Sequence, residues 1–419
     1  MDSTDDKAPT ESTSTNPNRR DVLRWGAVST IATGGVVSAT GQRAHGAGPA
    51  EVQSYRKLGR TGLEISDISF GTSRLRPGEE NLIAHALDRG INYFDSAYSY
   101  TRGASEQVLG NALAGKRDKV YLVSKVITES DSSAEFMMDR LDESLRRLKT
   151  DYVDIDMSHA VNDADRMKSA EWLEFIAKAK QQGKIRFSGM SGHAGRLIEC
   201  LDYALDEDMV DVILAAYNFG QDPAFYESLT RSFDFVANQP DLPRVLAKAK
   251  EKNVGTVAMK TLMGARLNDM RKWDTDGGTF AQAAFRWVLS NSDVDALIVT
   301  MRSVEEIDEY LGASGASSLA HGDLPLLERY AIANGVTYCR HACNDCIGAC
   351  PFGVEISDVL RTRMYATDYG DLEFARDEYA GIGTNAEACL SCSGEPCRNA
   401  CTHGIAIDQF CGPTHTMLA

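Results

Sequence analysis

The chain has 419 residues, 43% hydrophobic and 25% charged, the balance of a soluble globular protein with room for one large domain and a smaller one. Its formal net charge of -16, with no basic stretch to offset it, excludes a protein that works chiefly by holding nucleic acid or an anionic membrane. Cysteine is unevenly placed: Cys200 stands alone and the rest of the 10 fall between Cys339 and Cys411, which marks a separate metal or redox module at the C-terminus.

Residues 1–50 read as a targeting segment and linker, to be set apart from the fold. Asn18-Arg19-Arg20-Asp21-Val22-Leu23-Arg24 resembles a twin-arginine export signal, an Arg pair followed by an apolar pair and a base. The apolar stretch 25–39 is too short and too rich in Gly and Ser/Thr for a permanent membrane span. Ala44-His45-Gly46 before Ala47 supplies small residues for cleavage. The expectation is export, already folded, to the periplasm or another extracytoplasmic space. A disordered tail on a cytoplasmic protein is the alternative.

From Tyr55 onward, short β-branched runs alternate with helical patterns. Residues 55–63, with Gly59 and Gly62 at turn positions, read as a β-hairpin. Strands are expected at 65–71, 91–95, 120–125, 152–159, 185–190, 212–217, 255–260 and 296–301, with helices such as 80–89, 134–148, 166–181 and 280–289 between them. Eight such units in about 250 residues predict an α/β fold, a (β/α)8 TIM barrel over residues 51–315. The rival, an open doubly wound sheet, lacks the Gly-x-Gly-x-x-Gly turn after its first strand. A small-residue linker at 314–320 then leads to a helix at 324–334 and to a small α-helical domain spanning 316–419. Within it, Cys350-Pro351-Phe352-Gly353-Val354-Glu355-Ile356 is weakly echoed by Cys401-Thr402-His403-Gly404-Ile405-Ala406-Ile407.

Three early strands end on an ionisable residue: Asp95, Lys125 and His159, with Tyr100 five residues beyond Asp95. In a closed barrel the C-terminal strand ends converge on one face, so these four side chains meet there and form a proton-transfer site. Residues 55 to about 311 resemble the aldo/keto reductase family. The motifs are the hairpin, Phe94-Asp95-Ser96-Ala97-Tyr98-Ser99-Tyr100 and Glu106-Gln107-Val108-Leu109-Gly110, with Lys125 and His159 at matching strand ends. The resemblance implies an oxidoreductase that reduces a carbonyl, or oxidises an alcohol, by hydride transfer with NADPH and Tyr100 as general acid/base. A free Tyr has a pKa of about 10, too high for efficient protonation of a carbonyl oxygen. Lys125 is expected to lower it, Asp95 to hold Lys125 charged, and His159 to donate to the carbonyl oxygen. The plain alternative is a buried Asp–Lys pair with Tyr and His incidental.

The family's nicotinamide contacts are altered here. Ser191 is kept, but Gly192 stands where the family has an amide, Leu214 where it has Gln, and Met259 where it has a stacking aromatic ring. Glu306 takes the place of the Arg that binds the 2′-phosphate and Tyr310 that of the adenine-contacting Asn, and a carboxylate repels a phosphate. Ser191, Lys260 and Arg302, with Arg266 nearby, remain as the residues for NADP(H) or NAD(H).

Cys339-x3-Cys343-x2-Cys346-x3-Cys350-Pro351 and Cys389-x2-Cys392-x4-Cys397-x3-Cys401 resemble bacterial ferredoxin runs, implying one or two [4Fe-4S] clusters. In two-cluster ferredoxins the fourth Cys of each run crosses over. That implies Cys339, Cys343, Cys346 and Cys401 for one cluster, and Cys389, Cys392, Cys397 and Cys350 for the other. The gap lengths and Thr402 in place of Pro depart from the pattern, and thiolate zinc sites or disulfides are the competing readings. Cys200 and Cys411 have no partner in either run and read as plain thiols. His341 and His403 stand within or beside the runs, and His193 follows the fifth strand toward the substrate. The overall expectation is an exported oxidoreductase that acts on a small carbonyl or alcohol and exchanges electrons with a redox partner protein. It binds no nucleic acid and has no stable membrane span. A non-catalytic electron-transfer scaffold, or a conventional NADPH reductase with structural clusters, are the alternatives.

Overall fold

The computed structural model describes residues 50–193, 196–221, 241–262, 274, 278–334, 339, 345–367, 371–393 and 395–419. The described residues fall within one compact unit. The Arg19-Arg20 segment, Arg266, His341 and Cys343 lie outside the described residues.

A hairpin of β1 (Tyr55–Lys57) and β2 (Glu64–Ser66) precedes eight parallel strands. These are β3 (Ile68–Gly71), β4 (Tyr93–Asp95), β5 (Tyr121–Val126), β6 (Val153–Ser158), β7 (Ile185–Gly192), β8 (Val212–Ala216), β9 (Gly255–Met259) and β10 (Ala296–Thr300). They close into a barrel in the order β10-β3-β4-β5-β6-β7-β8-β9. The run expected as one strand at 65–71 is split at Asp67. Its first part pairs with β1, and Asp67 turns the chain into the barrel while accepting hydrogen bonds from Ser314 Oγ at 2.6 Å and Gly315 N at 2.7 Å.

The helices are α1 (Glu80–Asp88), α2 (Ala104–Ala112), α3 (Ala134–Leu148), α4 (Ala164–Lys168), α5 (Ala170–Gln181), α6 (Leu197–Asp206), α7 (Leu242–Glu251), α8 (Phe280–Leu289), α9 (Val304–Leu311) and α10 (Asp323–Asn334). In α3, Met137, Leu141, Leu145 and Leu148 recur at helical spacing on the buried face, and Ser133 caps the start by accepting from Phe136 N at 3.1 Å. The helix expected over 166–181 is two helices, because Ser169 is non-helical (φ −59°, ψ 125°). The break frees α5 to bury Trp172, Phe175 and Ala179 while α4 aims Arg166 at the end of β6.

Two apolar layers result. Tyr93, Val123, Ile155, Met157, Val212 and Val257 fill the barrel with Leu58, Leu63 and Ile65 of the hairpin; the second layer lies between strands and helices. The hairpin seats on the N-terminal end of β9. Gly59 adopts φ 44°, and a Cβ there would lie 2.3 Å from Gly255 N, so only glycine allows that approach.

Asp156 of β6 points out of the barrel. It is 2% exposed, and its Oδ2 has no hydrogen-bond partner among the described residues. Nearby, buried Glu106 accepts from Ser124 Oγ at 2.7 Å and Arg147 Nη1 at 3.3 Å. Burial, then the Glu106 charge, pushes the Asp156 carboxyl well above the usual carboxylate range. The folded chain therefore keeps a proton that the unfolded chain releases above about pH 4, and stability falls as pH rises beyond that point. Asp156→Asn is expected to raise stability by about 1–3 kcal/mol at neutral pH and to flatten the urea midpoint against pH. A variant no more stable than the parent in alkaline buffer would sink this account.

Beyond α10, the C-terminal module contains α11 (Ile356–Thr367), α12 (Leu372–Ala380), α13 (Pro396–Ala400) and α14 (Ile407–Leu418). Val354, Val359, Tyr379, Ile405 and Ile407 are among its core residues, and cysteines pack around them. The sequence repeat is a structural repeat. Gly353 (φ 66°) and Gly404 (φ 65°) each donate to the carbonyl three residues back, Cys350 O at 3.3 Å and Cys401 O at 3.1 Å. Each turn then buries its two apolar residues and opens a helix, at Ile356 and Ile407.

Candidate active site

The barrel order brings the four catalytic candidates together. Asp95 ends β4, Lys125 lies near the end of β5, His159 follows β6, and Tyr100 opens a turn after β4. That turn is tight: Thr101 (φ 45°) and Arg102 (φ 55°) are left-handed, and Thr101 Oγ1 donates to Leu75 O at 3.1 Å while accepting from Ser105 N at 2.8 Å.

Lys125 Nζ lies 2.5 Å from Asp95 Oδ1 and 2.6 Å from Ser96 O, and both charged side chains are buried. Burial works against the ammonium, but the charge and hydrogen bond of Asp95, together with Tyr100, outweigh it and raise the Lys125 pKa, so the lysine stays charged. Its Nζ stands 5.0 Å from the centre of the Tyr100 ring, which meets the His159 ring edge-on at 5.6 Å.

Lys125 was expected to bring the tyrosine pKa down, and the balance goes the other way. Burial raises the Tyr100 hydroxyl, and the Lys125 charge offsets this only in part. Tyr100 is therefore a protonated donor at neutral pH. His159 is neutral as well: burial first, then Lys125, Arg166 and Lys260, lowers it to about 3. Arg166 braces the histidine backbone, donating to His159 O at 2.8 Å and Ala160 O at 3.0 Å.

These groups face a cavity of about 490 Å³. Its wall includes Thr72, Ser191, His193, Leu214, Met259 and Lys260 from the barrel. The other side comes from the C-terminal module: Asp358, Arg361, Met364 and Tyr365 of α11, and Phe374 and Glu378 of α12. Nothing in the sequence marked these residues beyond the i,i+4 pair Arg361 and Tyr365 on one helix. Arg74 and Arg76, after β3, pair with Asp371 at the start of α12, Arg76 at 2.6 Å, and Arg102 pairs with Asp377.

The three expected cofactor residues separate. Ser191 and Lys260 line the cavity, Ser191 Oγ accepting from Ala160 N at 3.0 Å. Arg302 is not on that wall. Glu306 Oε1 accepts from its Nη2 at 2.8 Å and from its Nε at 3.2 Å. A Cβ at Gly192 would lie 2.5 Å from Leu197 Cδ1 and 3.0 Å from Val161 O, so an amide side chain there requires Leu197 to move. These residues do not fit a nicotinamide nucleotide held by the amide and arginine contacts that the resemblance implied.

In the module, Cys339, Cys346 and Cys401 line one small void with His403 and Asp345. Cys397 is raised by burial, with Cys389 and Cys350 close enough to act on it. Cys392 is half-buried in the turn after Leu390. The nine described cysteines form no disulfide. Cys411 is a buried thiol without a disulfide, in line with the expectation, but it has a neighbour. It is 1% exposed on α14 and hydrogen-bonds with Cys389, drawing the Cys389 thiol down to about 7.

Residues 67–276 match the model of the aldo/keto reductase family. The chain belongs to that family. It is an oxidoreductase with a small-molecule substrate. An uncharacterised oxidoreductase of Bacillus subtilis is 24% identical over 298 residues, 66% of this chain and 95% of that protein. The L-galactose dehydrogenase of Arabidopsis thaliana is 29% identical over 297 residues, 62% of this chain and 87% of that enzyme. The solved holo form of an aldo-keto reductase from Bacillus halodurans shares the fold, with a TM-score of 0.52 and 23% identity over 66% of this chain and 95% of its own. Among the described residues no helix is long and apolar enough to cross a membrane.

Proposed function

We propose that this aldo/keto reductase reduces a small carbonyl compound, or oxidises the matching alcohol, with Tyr100 moving the proton. The observation that carries the reading is the convergence of the buried Asp95–Lys125 pair, Tyr100 and neutral His159 on one cavity. His159 donates to the carbonyl oxygen and fixes its position; as a two-electron donor passes hydride to the carbonyl carbon, Tyr100 gives the oxygen its proton. Lys125, held by Asp95, stabilises the phenolate left behind. In the oxidative direction the same phenolate takes the proton from the alcohol.

The Cys-rich module is proposed to hold [4Fe-4S] clusters. Cys339, Cys343, Cys346 and Cys401 serve one set; Cys350, Cys389, Cys392 and Cys397 serve the other. Support comes from the spacing of the two Cys runs and from the repeated turns at Gly353 and Gly404; among the described residues no three His, Cys, Asp or Glu side chains already close on a metal site. Thiolates suit iron, and a bound cluster supplies electrons one at a time. The module's place in the cavity wall favours an electron role over a remote structural one. Export by the Arg19-Arg20 signal completes the reading, and cell fractionation of the native host tests it.

Anaerobic purification of the full chain, with iron and zinc analysis and visible absorbance, tests the metal assignment. The expected result is about four or eight irons per chain and a brown protein, with Cys346→Ala losing one set. A colourless zinc protein, or a chain free of metal, contradicts it.

A further inference from the structure

Lys260 is the one ammonium of the cavity wall to which the described residues give no anionic partner. It follows β9 with φ 57°, and Asn218 Nδ2 holds its carbonyl at 3.0 Å. A non-glycine residue kept in that conformation is held there by its surroundings. The wall's other cations are paired: Lys125 with Asp95, Arg74 with Asp371, and Arg361 with Glu378 at 2.9 Å and Asp358 at 3.2 Å. Burial first, then the Arg361 guanidinium, lowers Lys260 to about 8, while Glu378 and Asp358 act in the opposite sense.

Arg361 also reaches toward the chemistry. Its Nη1 lies 3.2 Å from Tyr365 Oη, and Tyr365 is close enough to act on Tyr100. A ligand whose carbonyl meets Tyr100 and His159 therefore extends toward the Lys260 ammonium of the barrel and the Arg361 guanidinium of the module, the latter already holding Glu378 and Asp358. An uncharged ligand leaves the burial of Lys260 only partly offset, by the Glu378 and Asp358 charges, whereas an anionic substituent supplies a direct counter-charge.

We propose that Lys260 and Arg361 form an anion subsite, shared between barrel and module, that selects carbonyl or alcohol substrates bearing a carboxylate or phosphate. The inference rests on the reading that Tyr100 and His159 receive the carbonyl. A nucleotide phosphate offers the same chemistry, so the test separates the two sources.

The test is calorimetric titration of the full-length protein with matched probes: pyruvate against methyl pyruvate, phenylpyruvate against its methyl ester, and dihydroxyacetone phosphate against dihydroxyacetone. At least one charged probe is expected to bind roughly tenfold or more tightly than its neutral partner. Lys260→Met brings that ratio close to one, and Lys260→Arg keeps it. Equal binding of every pair by the wild type overturns the proposal, as does a ratio unchanged in Lys260→Met. Adenosine diphosphoribose is the nucleotide arm. If its binding alone depends on Lys260, the residue belongs to a nucleotide site and the proposal fails. Tyr100→Phe separates the two readings: a ratio that persists in an active Tyr100→Phe variant upholds the subsite while removing the catalytic assignment.

Discussion

Tyr100→Phe lowers turnover of carbonyl reduction by roughly 10²–10⁴-fold, the usual worth of a positioned general acid, and leaves folding and iron content unchanged. The substitution keeps the ring and its edge-on contact with His159 and removes only the hydroxyl. The Tyr100 pKa gives the pH dependence a sign. Burial raises the hydroxyl despite Lys125, so Tyr100 holds its proton throughout neutral pH. Reduction is therefore flat across neutral pH and declines only above the ordinary tyrosine range, about 10. Oxidation, which needs the phenolate, rises with pH over the same interval. His159, lowered to about 3, adds no step near neutrality. Turnover by the wild type and Tyr100→Phe, with reduced viologen as donor and a panel of small aldehydes and ketones, checks this. Full retention of activity in the variant would falsify the acid assignment and favour a barrel without catalysis.

Lys125→Met carries the largest expected stability effect. It leaves Asp95, 1% exposed, without its cation, and breaking a buried pair from one side costs about 3–5 kcal/mol. Burial alone then raises the Asp95 carboxyl further, so the folded variant prefers the protonated acid. Its stability falls as pH rises above the unfolded carboxylate range, about 4. Urea midpoints for the variant are expected to be highest in acid and to decline toward neutral pH. The double variant Asp95→Leu/Lys125→Met regains much of the stability, because two apolar side chains leave no charge uncompensated. It does not regain turnover, because the phenolate of Tyr100 has lost its cation. A double variant as unstable as the single one contradicts the account.

The strand pattern was legible because each barrel strand is buried on both sides, and burial selects short β-branched runs. That is why runs ending at Asp95, Lys125 and His159 placed three charged or polar groups on one face without any structure. Two local details escaped. The split at Asp67 depends on hydrogen bonds to Ser314 and Gly315, nearly 250 residues away. The break at Ser169 follows from aiming Arg166 at the His159 carbonyl, which periodicity does not register. The direction of the Tyr100 shift also escaped, because the expectation counted the Lys125 charge and omitted the burial that opposes it.

The amino-acid sequence by itself determined the barrel, the four residues at its strand ends, the loss of the amide at Gly192 and the Cys-rich runs. These are local: a residue type at a spacing, read against the period of its element. The tertiary structure alone decided what surrounds the site. Only folding brings Arg361 and Tyr365 to the cavity, sets Glu306 on Arg302, leaves Lys260 without an ion pair among the described residues and lays Cys411 against Cys389. Those relations join residues far apart in the chain or on different elements, and their energies come from burial and charge pairing in a low-dielectric interior. Neither has a counterpart in sequence spacing.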